Sequence, residues 1–215
     1  MNFFGYLAGN YTEVLGLTGQ HVLLVLTGLA LATLIGVPLA VLTYRTAAPR
    51  TAVVAAAGIL LTIPSYALFG LLITPLGLGT APSVTALTMY ALLPVIRNTI
   101  VGLREVDPAV VESARGMGMS RRQVMREIEL PIAWPVIITG LRVATQLLLG
   151  IAAIAAAVNG PGLGRLILQG LDSAGTPFAV YLALEGILGI VVLAIALDLC
   201  FAALNRFTTS RGIRA

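Results

Sequence analysis

The chain has 215 residues, of which 58% are hydrophobic and only 10% are charged, and its mean hydropathy is +0.99. Soluble domains have about 25% charged residues, so this composition excludes an ordinary soluble domain and suits a lipid bilayer. The net charge is +4 and all 13 basic residues are arginine. Because the arginines flank apolar segments rather than line one face, they indicate membrane topology, not nucleic-acid binding.

Five segments are apolar enough to cross a hydrocarbon core, which takes roughly 20 residues. They lie at 22–43, 52–73, 83–102, 133–157 and 178–204. We therefore predict an all-α integral membrane protein with about five transmembrane helices. Residues 1–18 are too short and too polar to span, and they predict a separate amphipathic helix at the outer surface.

Ten of the arginines lie on one side of this five-span arrangement. They are Arg45, Arg50, Arg104, Arg115, Arg121, Arg122, Arg126, Arg206, Arg211 and Arg214. Cytoplasmic segments carry the excess of arginine in membrane proteins. We therefore predict an outside N-terminus, a membrane domain at 19–204, and a cytoplasmic loop at 103–131 and tail at 205–215.

The cytoplasmic loop holds 10 of the 22 charges of the chain between Arg104 and Glu129. Asp107 followed by Pro108 predicts a helix start, and Gly116 and Gly118 predict its end. Two short helices at a membrane surface suit a docking element for a cytoplasmic partner. On these residues alone, a solvated loop without a partner explains the charges equally well.

A second helix is predicted to start at Ser120, where Gln123 completes a capping box. Its apolar positions, Val124 and Ile128, fall on one face. We expect Pro131 to stop this helix as the fourth span begins.

The spacing inside the loop resembles the EAA loop of ABC-importer permeases, which reads EAA-x3-G-x9-I-x-LP. The matching positions are Glu112, Ser113, Ala114, Gly118, Ile128, Leu130 and Pro131. Only Ser113 departs from the motif, where alanine is usual. The resemblance implies that this loop docks into a groove of a separate ATP-hydrolysing subunit.

Longer stretches, "IPSYALFGLL" and "YALLPVIRNTIVGLREVDPAVVESARGMGMS" among them, resemble the osmoprotectant branch of these permeases. That branch transports glycine betaine, choline, carnitine and related quaternary ammonium compounds. The resemblance covers about Leu17 to Leu204. The stretch "NGPGLG", where the family usually has an Ala-Gly-Gly version, departs from it and leaves the fine substrate preference open.

The resemblance implies a permease with the type I ABC-importer fold in a bacterial cell membrane. It also implies a mechanism of alternating access and a dimer with an identical or paralogous subunit. Its implied partners are ATPase subunits and an extracellular or periplasmic binding protein. A P-loop needs a lysine, and the chain has none. We therefore expect no enzyme activity or cofactor in this chain, with ATP and magnesium on the partner ATPase.

Polar residues inside the predicted spans are candidates for a solute path, since such residues usually face a bundle interior or water. They are Tyr66, Tyr90, Arg97, Asn98, Arg142, Gln146, Glu185 and Asp198. In a solute path, an arginine would bind the carboxylate of the substrate, and a tyrosine ring would contact its ammonium group. For the charged residues we favour a structural role over a role in the path, with Arg142 and Asp198 forming an internal ion pair. For the tyrosines we favour packing between helices.

Other classes of function fit less well. An ABC importer for another small solute, such as an amino acid or a sulfonate, is the nearest alternative. A secondary transporter or channel would need no ATPase, and no inverted repeat is visible. A membrane enzyme or metal site would need a set of reactive groups, yet His21 and Cys200 are the only residues of their types.

Overall fold

The computed structural model describes residues 3–208, and these form helices joined by short connections. The α-helices are α1 Phe3–Thr43, α2 Ala47–Thr62, α3 Ser65–Leu76, α4 Thr80–Arg104, α5 Pro108–Gly116, α6 Arg121–Gln123, α7 Leu130–Ile154, α8 Gly164–Asp172 and α9 Ala179–Thr208. A π-helical segment, Val124–Glu129, joins α6 to α7, and a 3₁₀ turn, Ala155–Val158, follows α7. Arg211 and Arg214, which the sequence analysis assigns to the tail, lie outside the described residues.

Four helices of the described chain are long and apolar enough to cross a membrane: α1, α4, α9 and the continuous helix from Arg121 to Val158. Counting the bent pair of α2 and α3 as one span gives five. The all-α prediction and the count of about five spans are therefore confirmed.

The second predicted span, 52–73, is not one helix but two, and their axes differ by 96°. Pro64 causes the break, because a proline disfavours helical geometry in the residue before it. Ile63 is accordingly extended, with φ −67° and ψ 126°. The hydroxyl of Tyr90 donates to the carbonyl of Ile63 at 2.7 Å, which satisfies an acceptor at the break.

The N-terminal segment also differs from the sequence analysis, since α1 runs without a break through the predicted boundary at residue 18. Packing explains the continuity. Leu17 is buried in a cluster with Leu163 and Leu166, and the Thr18 hydroxyl donates to the Val14 carbonyl at 2.7 Å. Residues 3–18 thus extend the first span, and their position at an outer surface stays a prediction.

Helix α4 lies at the centre of the fold, between α1 and α7. Small residues allow the close approach of α1 and α4: Gly28, Ala32, Gly36 and Ala40 recur every four residues of α1 and are all buried. Gly28 faces Leu87 and Gly36 faces Val95, so α1 and α4 run parallel.

Helix α7 packs against the other side of α4 through glycine as well. Gly140 faces Asn98, whereas Gly102 faces Ala133, so α4 and α7 run antiparallel. A Cβ atom on Gly140 would come within 2.5 Å of the Asn98 Cβ, and only glycine permits this approach. Helix α9 runs antiparallel to α7, since Arg142 contacts Asp198 and Gln146 contacts Ala194, and only 6% of the most apolar part of α9 is buried.

The stretch "NGPGLG" forms the bend between α7 and α8. Asn159 is left-handed, with φ 58°, and Gly162 has φ +116°. A Cβ atom on Gly162 would come within 2.8 Å of the His21 Nδ1. His21 is fully buried, and its Nε2 lies 3.2 Å from the Leu149 carbonyl oxygen. This histidine therefore holds the bend against α1 and α7.

Candidate functional site

The charged loop folds as two capped helices, as the sequence predicts. The Asp107 side chain accepts a hydrogen bond from the Ala109 amide at 2.8 Å, with Pro108 at the first helical position. Ser120 and Gln123 form the reciprocal capping box, with bonds of 2.9 and 3.4 Å. Local hydrogen bonds within the loop thus define its shape.

Helix α5 turns an exposed face away from the rest of the described chain. Glu112 and Ser113 are exposed, whereas Ala114 is buried. Val110 and Met117 expose 41% and 77% of their surface. Apolar side chains exposed beside charged ones on a short, rigid helix suit a protein partner better than water alone.

Gly118 ends this first helical segment in a left-handed conformation, with φ +88°. A Cβ atom there would meet nothing within 4 Å, so the backbone angle, not space, requires the glycine. Gly116 also has open space but lacks the positive φ. Comparing the same substitution at Gly116 and at Gly118 therefore separates the effect of backbone strain from the effect of added side-chain volume.

The second half of the loop differs from the prediction, because Pro131 does not stop the helix. Leu130 begins α7 directly after the π-helical segment that contains Ile128. In an α-helix the Pro131 ring would clash with the carbonyl four residues earlier. Here the Leu130 amide bonds five residues back, to Met125, and this wider turn carries the chain past the proline.

A buried carboxylate ties the loop to the end of α1. Glu129 is 3% exposed and accepts a hydrogen bond from the Tyr44 hydroxyl at 2.8 Å. The Nη2 of Arg45 reaches both Glu129 oxygens at 3.0 Å, and the Arg45 Nε donates to the Tyr44 hydroxyl. We call these three residues the Glu129 clamp.

Burial, followed by the hydrogen bond to Glu129, raises the pKa of Tyr44 to about 12. Tyr44 therefore stays a protonated donor at physiological pH. The sequence analysis missed this contact, because it treated Glu129 only as part of the charged block. The sequence did contain a signal for this contact. Tyr44 and Arg45 directly follow the first predicted span, and the acidic Glu129 lies just before the fourth, at the same end of the bundle.

The structure brings three of the predicted intramembrane residues together. The Nε and Nη2 of Arg142 lie 2.5 Å from Oδ1 and Oδ2 of Asp198. Gln146 donates to the Ala194 carbonyl at 3.1 Å and lies 3.5 Å from Asp198. This is the pairing that the sequence analysis favours, and it joins α7 to α9.

This ion pair is open, since the two side chains are 44% and 35% exposed. Charges facing hydrocarbon are costly, so this side of α7 suits water or another protein. The same side of α7 continues through Val143, Leu147 and Gly150. Towards α4 it borders a groove of about 420 Å³, which Arg97 and Asn98 line.

The remaining candidates lie elsewhere. Tyr66 is 69% exposed, whereas Tyr90 is buried and bonded to Ile63, so its ring packs rather than faces a path. Asn98 donates to the Pro94 carbonyl of its own helix at 2.8 Å. Glu185 is buried beside an apolar groove between α1 and α9, about 20 Å along α9 from Asp198.

Residues 3–208 contain no group of three or more His, Cys, Asp or Glu side chains that could hold a metal ion. The described residues form a capped loop, a clamp to α1, and a long helix that carries polar groups into the apolar bundle.

Residues 23–210 match the profile of the family described as the binding-protein-dependent transport system inner membrane component. The chain belongs to this family. It is therefore an inner-membrane permease component and not itself an enzyme. This agrees with the resemblance seen in the sequence.

Curated relatives match along almost the whole permease. The osmoprotectant import permease protein OsmW of Salmonella typhimurium is 42% identical, over 100% of both chains. The glycine betaine/carnitine/choline transport system permease protein OpuCB of Bacillus subtilis is 34% identical, over 97% of this chain and 94% of the relative.

Solved structures give the fold. A chain of the MetNI methionine ABC transporter in an inward-facing conformation superimposes with a TM-score of 0.80 at 22% identity, covering 93% of the permease and 97% of that chain. An amino acid ABC transporter crystallised with histidines gives 0.70 at 20% identity, covering 96% and 97%. The type I importer fold predicted from the sequence is thus confirmed.

The Glu129 clamp yields a first prediction. Glu129→Gln keeps the side-chain shape but removes the charge that Arg45 faces. Because a hydrogen bond to a charged group contributes about 1.5–3 kcal/mol, we expect a loss of stability of that order. Thermal unfolding of the purified permease measures it. The control, Glu127→Gln, removes an exposed charge two residues away and should change little; equal losses in both variants would contradict a specific clamp.

The open ion pair yields a second prediction. Asp198→Asn or Arg142→Gln alone leaves one intramembrane charge without its partner, so each should lower the yield of monodisperse permease. The double variant should recover much of it. Arg97→Gln, which removes an arginine that has no ion pair within residues 3–208, is the control. A double variant as poor as the worse single one would mean that pairing is not the main role.

Proposed function

We propose that this permease imports osmoprotectants of the quaternary ammonium class, such as glycine betaine, choline or carnitine. The observation that carries the proposal is the 42% identity, over the full length of both chains, with a relative named as an osmoprotectant import permease. Relatives named for choline and carnitine transport, at 34–37% identity, support the same class of solute.

The proposed transporter has two permease subunits, identical or paralogous, with ATPase subunits that bind ATP and magnesium on the cytoplasmic side. A binding protein delivers the solute from outside. The open Arg142–Asp198 pair supports the second permease subunit, since a second chain would keep these exposed charges away from hydrocarbon.

Helix α5 is the proposed contact with the ATPase. Its exposed side presents Glu112 and Met117, its caps fix its length, and Gly118 fixes its angle to the next helix. Movement of α5 would pass through α6 and the π-helical segment into α7, because these form one continuous helix. The Glu129 clamp would carry the same movement to α1.

The proposed solute path follows the exposed side of α7. Arg142, Gln146 and Asp198 provide the polar groups on one border, and Arg97 with Asn98 on the other. Glycine betaine and carnitine carry both a carboxylate and an ammonium group, so they can exchange contacts with a paired arginine and aspartate without leaving either charge alone, whereas choline would meet only the aspartate. Of the two candidate tyrosines, Tyr66 has the exposed ring, and such a ring attracts a quaternary ammonium group.

Uptake by the reconstituted transporter tests the proposed solute. Proteoliposomes that contain the permease and its ATPase, with the binding protein outside and ATP inside, should accumulate radiolabelled glycine betaine or choline. Excess unlabelled choline should compete, and methionine should not. Uptake without ATP would indicate a secondary transporter, and uptake of an amino acid but of no quaternary ammonium compound would contradict the solute class.

The loop yields a further prediction. Gly118→Val places a β-branched residue at φ +88°, which strains the turn and misdirects α5. Glu112→Lys reverses an exposed charge on the contact face. Both variants should insert and assemble normally but retain less ATPase on purification and show less ATPase activity stimulated by the binding protein.

Gly116→Val is the matched control, because Gly116 also has open space around it but no positive φ. It should keep more ATPase than Gly118→Val. If both loop variants keep normal ATPase retention and stimulation, the charged loop is a solvated segment without a partner.

A further inference from the structure

A basic groove lies between the end of α1 and the first turns of the helix that begins at Arg121. It has a volume of about 390 Å³, and its lining includes Arg45, Arg121, Arg122 and Arg126. Two apolar residues of α1, Val41 and Leu42, complete its rim. The groove therefore joins four cationic side chains to an apolar edge.

Three of these arginines lack a counter-charge among residues 3–208. Arg45 is paired with Glu129, whereas Arg121, Arg122 and Arg126 make no ion pair with any residue in the described part of the chain. Arg121 and Arg122 occupy the first turn of a helix, where the positive end of the helix dipole opposes cations. Arg122 and Arg126 lie four residues apart, so their charges repel one another.

An anion in the groove would relieve all of these costs at once. It would neutralise the arginines, meet the positive end of the helix, and separate the like charges with a charge of opposite sign. A phosphate group fits this chemistry, because arginine presents paired N–H donors to phosphate oxygens.

The apolar rim indicates where such a phosphate comes from. Leu42 exposes 78% of its surface in the last turn of the first span, where an acyl chain would contact it. No residue of α5, the proposed ATPase contact, lines the groove. Basic pockets beside spans at the cytoplasmic surface suit anionic phospholipid headgroups. We propose that this groove binds the headgroup phosphate of an anionic phospholipid of the inner leaflet.

A lipid held there would contact the two elements that the Glu129 clamp joins. These are the end of α1 and the start of the helix that leads into α7. It would hold these two elements at a fixed spacing. The proposal concerns neither the solute nor the solute path.

The test uses the purified complex of the permease with its ATPase in a non-ionic detergent. Phosphatidylglycerol and phosphatidylcholine of equal chain length are titrated, and retained lipid is measured by native mass spectrometry. Phosphatidylglycerol should bind more tightly. Because one arginine near an anionic surface contributes about a factor of five, Arg122→Gln and Arg126→Gln should each weaken its binding about fivefold.

Arg104→Gln is the matched control, since Arg104 is exposed at the end of α4 and outside the groove. It should bind phosphatidylglycerol as the wild type does. Inorganic phosphate as competitor separates the sources of the phosphate: a lipid site should keep its lipid, whereas displacement at equal concentration would identify a site for a soluble anion and overturn the proposal.

Two further results would overturn it. Equal binding of the two lipids to the wild type would exclude a headgroup site, and this comparison does not depend on any variant folding. Variants that retain phosphatidylglycerol but lose the ATPase would assign the groove to the ATPase interface instead.

Discussion

One uninterrupted helix, from Arg121 to Val158, connects the charged loop to the apolar interior of the bundle. Its 38 residues span about 57 Å at 1.5 Å per residue. A helix transmits displacement along its axis because its internal hydrogen bonds fix the spacing of successive turns. A movement of the loop along this axis would therefore shift Arg142 and Gln146, the polar residues of α7. The Glu129 clamp adds α1 to the same unit.

Features that depend on neighbouring residues could be predicted from the sequence. Asp107 with Pro108, and Ser120 with Gln123, specify helix starts through bonds that span three residues or fewer, and no distant contact competes with them. The failure at Pro131 has the opposite cause. Proline can donate neither an α-helical nor a π-helical hydrogen bond, but a wider turn before it relieves the clash of its ring with the preceding turn. The choice between a stop and a wider turn depends on how the segment packs.

The ion pair of Arg142 with Asp198 could be predicted because the spans contain few charges, and each has few possible partners in an apolar environment. Glu129 could not be assigned in this way. It lies among many charges at the membrane surface, so the sequence offers several partners, and only the position of α1 selects Arg45. Tyr90 is buried, in line with the packing that the sequence analysis favours, but its hydrogen bond could not be predicted, because hydropathy does not reveal the bend at Ile63 whose carbonyl it caps.

The 96° corner between α2 and α3 decides how many times the chain crosses the bilayer. Helix α2 has 16 residues and α3 has 12, or about 24 and 18 Å, so neither alone reaches across a core of about 30 Å. Yet α1 and α4 run in the same direction, which requires the chain between them to return to the starting surface. The corner therefore belongs to a full crossing made in two steps. The number of crossings is odd, and the two ends of the described chain, Phe3 and Thr208, lie on opposite sides of the membrane.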